Sequence, residues 1–279
     1  MKESMKRPVG LHLRLMTTIE DLLQKALRLD SPITQCFFVL QSTHKYIKVT
    51  EEDAAASLEL AKNFKSLYLH ASYWVNLAGL TRNGWRPFMR ELEFAKKFGF
   101  THLIIHPGSA TGCETKDEGI ECLARALNKA LETEHDIKIV LENGAHGNKT
   151  VGGDLQDFKK LRTLLDQPEK IYFCIDTAHA HVFGYDVVTP EGQDAFLNLV
   201  QECVGNQFIL LHLNETAQMV GSKIDQHAAF GQGLIGNEAL KRFMNHPLCK
   251  NVPIILEIPV MEHEEQEKEL LSLVSSWQE

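Results

Sequence analysis

Short apolar runs alternate along the chain with longer stretches in which apolar residues recur at every third or fourth position. The short runs predict eight strands, at residues 9–13, 35–40, 66–70, 101–106, 137–142, 171–176, 207–213 and 253–258. The longer stretches, such as EGIECLARALNKALE, have the spacing of amphipathic helices. Strands that alternate with helices indicate parallel βαβ units. The pattern therefore predicts an α/β fold, a single (β/α)8 TIM barrel, with a doubly wound open sheet as the alternative.

Length and composition agree with one barrel domain. The chain has 279 residues, with 44% hydrophobic and 24% charged residues, which is typical of a soluble α/β barrel. We expect one domain over residues 1–279, with residues 1–6 as a frayed tail. No stretch approaches the roughly 18 apolar residues of a membrane span, and MKESMKRPVG lacks the apolar segment of a secretory signal. We therefore expect no membrane partner and a cytoplasmic, nucleoid-associated location, or a nucleus or virion in a eukaryotic or viral source.

The net charge of −8 argues, by itself, against a nucleic-acid partner, because lysine and arginine drive binding to phosphates. That argument fails where acidic residues hold metal cations, since the charge of the ions has to be added to that of the protein. The positions of the acidic residues therefore decide what the net charge means.

His, Asp and Glu residues stand at or near the carboxyl ends of six consecutive predicted strands. They are His70, His106, Glu142, Asp176, His212 and Glu257. The carboxyl ends of barrel strands meet at one face, where the active sites of such barrels lie. Carboxylates brought together there repel one another unless cations lie between them. The pattern predicts a metal centre at this face.

Three further ligand-type residues follow the sixth and seventh strands. His179 comes three residues after Asp176, and the segment KIDQHAAFGQG contains Asp225 and His227. Imidazole and carboxylate ligands without a thiolate suit Zn, Mn, Fe or Co rather than Mg or Ca. The full set is too large for one tetrahedral ion and indicates a cluster of two or three ions.

Seven segments carry a resemblance to a known family. They are HASYWVN (70–76), HPGS (106–109), LENGAHG (141–147), CIDTAHAHVFGYD (174–186), LHLNE (211–215), KIDQHAAFGQGLIG (223–236) and ILEIP (255–259). In order and spacing they resemble the endonuclease IV family of apurinic/apyrimidinic endonucleases, and the likeness runs from His12 to Glu257. The resemblance implies a hydrolase of base excision repair that cuts the DNA phosphodiester 5′ to an abasic site. The implied partner is damaged double-stranded DNA, and we expect a monomer.

The resemblance also implies a centre of three Zn²⁺ ions, with Mn²⁺ as an alternative at one or more sites. Carried over position by position, the ligand sets are His70, His106 and the bridging Glu142 for the first ion, Glu142, Asp176, His212 and Glu257 for the second, and His179, Asp225 and His227 for the third. Glu142 and Glu257 are the implied catalytic residues, Glu257 because its position in the family pattern suits the orientation of the attacking water.

The loops after the first two strands depart from the family. The chain has RLMTT (14–18) where the family usually has Ser-x-x-Gly-Gly, and QSTHKY (41–46) where it usually has an Asn-x-Arg-x-Trp-like stretch. Glu215 stands where Asp is usual, and Gln232 where Glu is usual. These first two loops are expected to touch DNA, so recognition of the lesion has to involve other residues. The expected DNA contacts are Tyr73, which matches the family's damage-recognition tyrosine, Trp74 unless it is a core residue, His44 and Lys45.

Two other functions share parts of this pattern. A xylose-isomerase-like sugar isomerase or epimerase also has His, Asp and Glu at its strand ends, but it does not require the third group of His179, Asp225 and His227. A non-catalytic metal-binding barrel would be indicated by the loss of a ligand, and no ligand position is lost. Of the remaining histidines, His12 is expected to hydrogen-bond to ligands, and His181 to lie outside the ligand set.

Overall fold

The structure, a computed structural model, describes residues 6–40, 43, 45–81, 84–133, 136–259 and 261–278. The barrel strands are β1 (Val9–His12), β2 (Ile33–Cys36), β3 (Ser66–His70), β4 (His102–Ile105), β5 (Lys138–Glu142), β6 (Ile171–Asp176), β7 (Phe208–His212) and β10 (Ile254–Leu256). They form a closed parallel barrel in the order β1-β10-β7-β6-β5-β4-β3-β2. The pairing of Val9 with Ile254 closes the barrel and excludes the open sheet. The predicted (β/α)8 barrel is confirmed. Of the tail predicted to fray, residues 1–5 lie outside the described residues.

Helices follow the strands and cover the outside of the barrel. They are α1 (Ile19–Arg28), α2 (Glu51–Ala61), α3 (Trp85–Lys97), α4 (Lys116–Leu131), α5 (Gln156–Leu164), α6 (Thr177–Phe183), α7 (Pro190–Cys203), α8 (Asn237–Asn245) and α9 (Glu264–Ser276). Thr18, Thr50, Thr115 and Thr189 each begin a helix by accepting a hydrogen bond from a backbone N–H of its first turn. Among the residues described, none of the helices has both the length and the apolar character that a membrane crossing requires.

The middle of the barrel interior is filled by one residue from each strand. This lower ring consists of Gly10, Ile33, Tyr68, Ile104, Val140, Cys174, Leu210 and Ile255, and its side chains other than glycine form a compact buried cluster. Gly10 is required by space, because a Cβ atom there would lie 2.0 Å from the carbonyl oxygen of Ile33. The lower ring is an apolar plug that closes the barrel interior beneath its carboxyl end.

A second set lies two residues further along each strand. This upper ring consists of His12, Gln35, His70, His106, Glu142, Asp176, His212 and Glu257. Successive side chains of a strand point to opposite faces, so residues two apart share a face. The upper ring therefore sits directly above the lower ring, at the open end of the barrel.

The predicted boundaries of the second strand, 35–40, are wrong, because β2 spans Ile33–Cys36. After Cys36 the chain leaves the barrel, and Val39 makes only an isolated antiparallel bridge with Tyr46. Phe38 is fully buried, but its ring packs against Phe94 of α3, in the layer between barrel and helices. The apolar run FFVL is thus core sequence outside the barrel, and apolarity alone could not locate the end of the strand.

Candidate metal centre

The segment that joins β6 to α6 positions two of the predicted ligands. Asp176 ends β6 and is also the N-cap of α6, and its Oδ1 accepts a hydrogen bond from the backbone N–H of His179 (2.8 Å). An N-cap carboxylate satisfies one of the free N–H groups of a helix terminus. The sequence DTAH therefore fixes a carboxylate and an imidazole side by side, with Asp176 Oδ2 4.0 Å from His179 Nδ1.

All nine predicted ligand residues lie together at the carboxyl end of the barrel. Ligand atoms within 4.8 Å of one another form three groups: His70, His106 and Glu142; Glu142, Asp176, His212 and Glu257; and Asp176, His179 and His227. Asp225 lies beside the third group, with Oδ1 3.1 Å from His179 Nε2 and 3.8 Å from His227 Nε2. Glu142 joins the first two groups, and Asp176 joins the second and third. The three groups thus form one continuous cluster.

Backbone carbonyls orient three of the histidines. The Nδ1 atoms of His70, His179 and His227 lie 2.9, 3.0 and 3.1 Å from the carbonyl oxygens of Ala71, Asn143 and Glu257. A ring nitrogen that donates to a carbonyl leaves the other nitrogen as the lone-pair donor. In all three rings Nε2 therefore faces the carboxylates of the cluster, and it is the nitrogen that would bind a metal ion.

Gln35 orients a fourth histidine, the buried His212, in the opposite sense. Its Oε1 accepts a hydrogen bond from His212 Nε2 (2.9 Å), and its Nε2 donates to Glu257 Oε1 (2.6 Å). His212 therefore presents Nδ1 to the cluster, 3.0 Å from Glu142 Oε1. The sequence interpretation missed Gln35. The signal that identifies it is the two-residue period of the strand, since Gln35 follows the buried Ile33 as His70 follows Tyr68.

Asn214 is a second residue that the sequence interpretation missed. Its Nδ2 donates to Asp176 Oδ2 (2.5 Å) and Glu257 Oε2 (3.2 Å), and its Oδ1 accepts from the backbone N–H of Glu257. One amide group thus sets the spacing of two carboxylates. His12, predicted to bond to ligands, has Nδ1 3.1 Å from Glu257 Oε1.

The buried Nε2 atom of His227 shows that this set of donor atoms suits a metal ion. It has no hydrogen-bond partner among the described residues, although it lies 3.6 Å from Asp176 Oδ2. A buried polar atom without a partner is unfavourable, and a cation between imidazole and carboxylates would satisfy it. Neutral imidazoles and carboxylates are ligands that Zn²⁺ and Mn²⁺ accept. The residues therefore fit a metal centre.

The charges of the cluster depend on one another. Burial acts to raise the pKa of Glu142, but His212 and His106 outweigh it and hold that pKa well below its usual value. Burial raises the pKa of Asp176 and lowers that of His106 to about 4, and a neutral imidazole is the ligand form. Burial also acts to lower the pKa of His179, but Asp176 and Asp225 keep it well above its usual value. The carboxylates thus require positive charge beside them, which metal ions would supply.

A short antiparallel pair returns the chain to the cluster after β7. β8 (Glu215–Thr216) pairs with β9 (His227–Ala228), with Thr216 opposite His227. The buried Glu215 holds the segment that follows, because its carboxylate accepts from the backbone N–H groups of Ile235 and Gly236. His181 is also buried but lies outside the metal groups.

An open cavity of about 360 Å³ leads to the cluster. Its walls include Arg14, Phe37 and Tyr73, and Phe37 packs between His70 (4.9 Å between ring centroids) and Tyr73 (6.0 Å). Tyr73 is 84% exposed and Trp74 50% exposed, so Trp74 is not a core residue. Lys45 is exposed, and His44 lies outside the described residues. Aromatic surface and one arginine therefore border the entrance.

A buried carboxylate on α3 ties together the loops that carry these aromatic residues. Glu91 accepts from the backbone N–H and the hydroxyl of Ser72 (3.0 and 2.5 Å) and from the hydroxyl of Tyr46 (2.7 Å). The ring of Tyr46 packs 5.5 Å from that of Trp74. Burial raises the pKa of Glu91. Glu91 thus fixes the segment after His70 to the loop after β2.

Comparisons with known proteins bear on this geometry. Residues 37–277 match the family model described as a xylose isomerase-like TIM barrel. A probable endonuclease 4 of Thermotoga petrophila is 32% identical over 222 residues, which are 77% of each chain. The apurinic-apyrimidinic endonuclease 1 of Schizosaccharomyces pombe is 30% identical over 247 residues, 84% of this chain and 72% of that protein. The chain belongs to the endonuclease IV family.

A crystal structure from the endonuclease IV family superposes on nearly the whole chain. The crystal structure of endonuclease IV from Thermus thermophilus superposes with a TM-score of 0.82 at 27% identity, covering 97% of this chain and 98% of that one. The chain is accordingly an enzyme, and its family name places it among the nucleases. The predicted family is confirmed.

Proposed function

We propose that this chain is a zinc-dependent endonuclease of DNA repair that hydrolyses the phosphodiester 5′ to an abasic site. The observation that supports it most is the continuous cluster of three ligand groups joined by Glu142 and Asp176. His70, His106 and Glu142 would hold one ion, Glu142, Asp176, His212 and Glu257 a second, and His179, His227 and Asp225 a third. The relative named apurinic-apyrimidinic endonuclease 1 supports an abasic substrate, and the relative named probable endonuclease 4 supports endonuclease activity.

The protein's own groups position the ligands and the substrate. Bound ions would supply positive charge to the phosphate and activate a water for attack. Gln35 and Asn214 hold Glu257 from two sides, which suits a carboxylate that orients the attacking water. Arg14 on the cavity wall would contact a phosphate, since guanidinium pairs well with phosphate oxygens.

Lesion recognition would use the exposed aromatic residues at the entrance. A nucleotide that leaves the duplex exposes the neighbouring bases, and aromatic side chains stack on such bases. Tyr73 and Trp74 are exposed, and Phe37 supports Tyr73 from below. We propose these two residues as the wedge, with Lys45 and His44 as further DNA contacts.

A sugar isomerase or epimerase is the competing function, since the matched family model covers xylose isomerase-like barrels in general. Such an enzyme has no need of the third ligand group around His179 and His227. A sugar-sized substrate also gives no reason for two large aromatic side chains at the rim. Both features favour a nucleic-acid substrate.

Metal content is the first test. Protein purified without chelators should contain about three ions per chain, mainly zinc, by plasma emission spectroscopy. One ion or fewer would contradict the trinuclear centre and favour the isomerase.

Product analysis is the second test. With an end-labelled abasic duplex, the expected upstream product ends in a 3′-hydroxyl, because the bond 5′ to the lesion is hydrolysed. An upstream product that retains the sugar remnant would contradict the proposed position of cleavage. Chelation followed by zinc addition should abolish and restore the product.

A further inference from the structure

A groove outside the metal site carries an unusual concentration of positive charge. It has a volume of about 1020 Å³ and lies between α3, the loop before it and α4. Arg86 and Arg90 line it from α3, and Arg125 and Lys129 from α4, whereas no described carboxylate lines it. In a chain with a net charge of −8, this grouping sets the groove apart from the rest of the surface.

The cations of the groove are largely unpaired. No described carboxylate lies within 4.0 Å of the charged groups of Arg86, Arg90 or Lys129, and Arg125 meets Glu121 only at 3.7 Å. Several exposed cations elsewhere on the surface do have such partners, as in Lys159 with Glu202 and Arg28 with Glu264. Unpaired cations retain their capacity for an external anion.

The arrangement of the charges suits an extended anion. Within each helix the two cations stand four residues apart, which places them about 6 Å apart along the helix axis. Like charges at this spacing are unfavourable for a helix, and an anion bound between the two helices would relieve the repulsion. Two rows of cations along a groove match a polymer of phosphates better than one small anion.

One cation–π contact and a shared segment of chain link the groove to the aromatic residues at the entrance of the metal site. The Arg90 guanidinium lies 5.0 Å from the ring centroid of Tyr46, and that ring packs against Trp74. The wall formed by residues 76–81 directly continues the segment that carries Tyr73 and Trp74. Asn76 also bonds to both backbone groups of Ser109, in the loop after His106. A DNA strand that extended from the metal site along residues 76–81 would meet the cations of the groove.

We infer that the groove between α3 and α4 binds the phosphate backbone of the DNA flanking the lesion. The inference deepens the proposed function, on which it rests, by assigning a second contact area that carries no sequence information. Backbone contacts of this kind position a duplex and make binding dependent on salt.

The test compares two double charge reversals. Arg86→Glu with Arg125→Glu alters the groove but leaves Arg90 against Tyr46 and Lys129 against Trp85. Lys65→Glu with Lys250→Glu makes the same change in net charge at exposed sites before β3 and β10, on the opposite end of the barrel. Binding to a duplex of about 30 base pairs, abasic or undamaged, is measured by fluorescence anisotropy over a range of salt concentrations.

The groove variant should bind both duplexes at least about tenfold more weakly than the control, with a salt slope lower by about two, because each lost phosphate contact removes roughly 0.9 from the slope. Equal affinities and slopes in the two variants would overturn the inference. If circular dichroism shows that the groove variant is unfolded, Arg86→Gln with Arg125→Gln decides by the same criterion. Failure of the parent protein to cut abasic DNA would refute the proposed function, and the difference in salt slope would still decide the role of the groove.

Discussion

The upper and lower rings of the barrel interior lie two residues apart on the same strands, yet they differ in every property that matters for function. Ile33, Tyr68 and Val140 are buried in an apolar cluster, whereas Gln35, His70 and Glu142 directly above them form a hydrogen-bonded polar cluster. The lower ring stabilises the barrel by burying apolar surface. The upper ring requires cations to compensate its buried charges. Side chains only two residues apart on the same strand thus belong either to the apolar lower ring, which stabilises the fold, or to the upper ring, which forms the candidate metal centre.

This contrast predicts opposite phenotypes for neighbouring substitutions on β5. Glu142→Ala removes the carboxylate shared by two ligand groups, so activity on an abasic duplex should fall by about a thousandfold or more, equivalent to roughly 4 kcal/mol. Val140→Ala leaves a small cavity instead and should cost about 2 kcal/mol of unfolding free energy with activity nearly unchanged. Cleavage rates, metal content and urea denaturation distinguish the two. Near-normal cleavage by Glu142→Ala would show that Glu142 serves packing alone.

Gln35, the upper-ring residue on β2, extends the comparison to a side chain that orients ligands without being one. Gln35→Leu keeps a side chain of similar size but removes the amide group that orients His212 and Glu257. Loss of such partners of metal ligands typically costs 10- to 100-fold in metal affinity or activity. Zinc affinity is measured by competition with a chelating dye. The matched control in the lower ring is Ile33→Val, which should cost about 1 kcal/mol of stability and leave zinc affinity unchanged. Equal zinc affinities in both variants would contradict the orienting role of Gln35.

Gln35 also shows where prediction from sequence ends. The ring positions on β3 to β7 could be recognised because a ligand-type residue ends an otherwise apolar strand. On β2 the apolar run continues through Phe37 and Phe38 after the strand has ended, since core residues between barrel and helices are equally apolar. The polar end of the strand was therefore hidden, and Gln35 was taken as its start.

The other features that the sequence did not predict depend on contacts between residues that are far apart in the chain. β8 and β9 contain two residues each and have no periodic signal, although their pairing brings His227 to the cluster. Glu91 sits in RELEFAKKF, which resembles an ordinary amphipathic helix, and only the structure shows its carboxylate buried against Ser72 and Tyr46. Asn214 lies within the recognised motif LHLNE, but nothing in the sequence indicates that its amide donates to Asp176 and Glu257.

Beyond the rings, the rim should affect recognition without affecting the chemistry. Tyr73→Ala with Trp74→Ala should weaken binding of an abasic duplex by about 1–3 kcal/mol for each stacked base that is lost. Hydrolysis of a small phosphodiester should persist, because neither residue is a metal ligand. Tyr73→Phe with Trp74→Phe is the matched control, since it keeps aromatic surface and should bind nearly as well as the parent. Equal losses on both substrates in a folded protein would rule out the wedge and direct attention to His44 and Tyr46.

The smallest effect concerns a histidine at the other end of the barrel. His102 begins β4, four residues before His106, and is buried with its ring 4.6 Å from that of Tyr68. Carboxylates surround the upper-ring histidines, whereas His102 has Lys138 near it, and burial together with that lysine lowers the pKa of His102 to about 3. This imidazole is therefore neutral in the folded protein at pH values where the unfolded chain already binds a proton.

The pH dependence of stability follows from the difference between the folded and unfolded pKa of His102. The pKa of His102 is about 3 in the folded state and about 6.5 in the unfolded state. Its contribution to stability is therefore complete above pH 6.5 and is lost as the pH falls towards 3, by up to about 1.4 kcal/mol per pH unit. His102→Gln removes the titrating group. Between about pH 7.5 and pH 5.5 the parent should lose roughly 1.4 kcal/mol more unfolding free energy than the variant, measured by urea denaturation. Other groups titrate alike in both proteins. If the unfolding free energies of parent and variant fell in parallel with pH, His102 would be able to take up its proton in the folded state, which would contradict the lowered pKa.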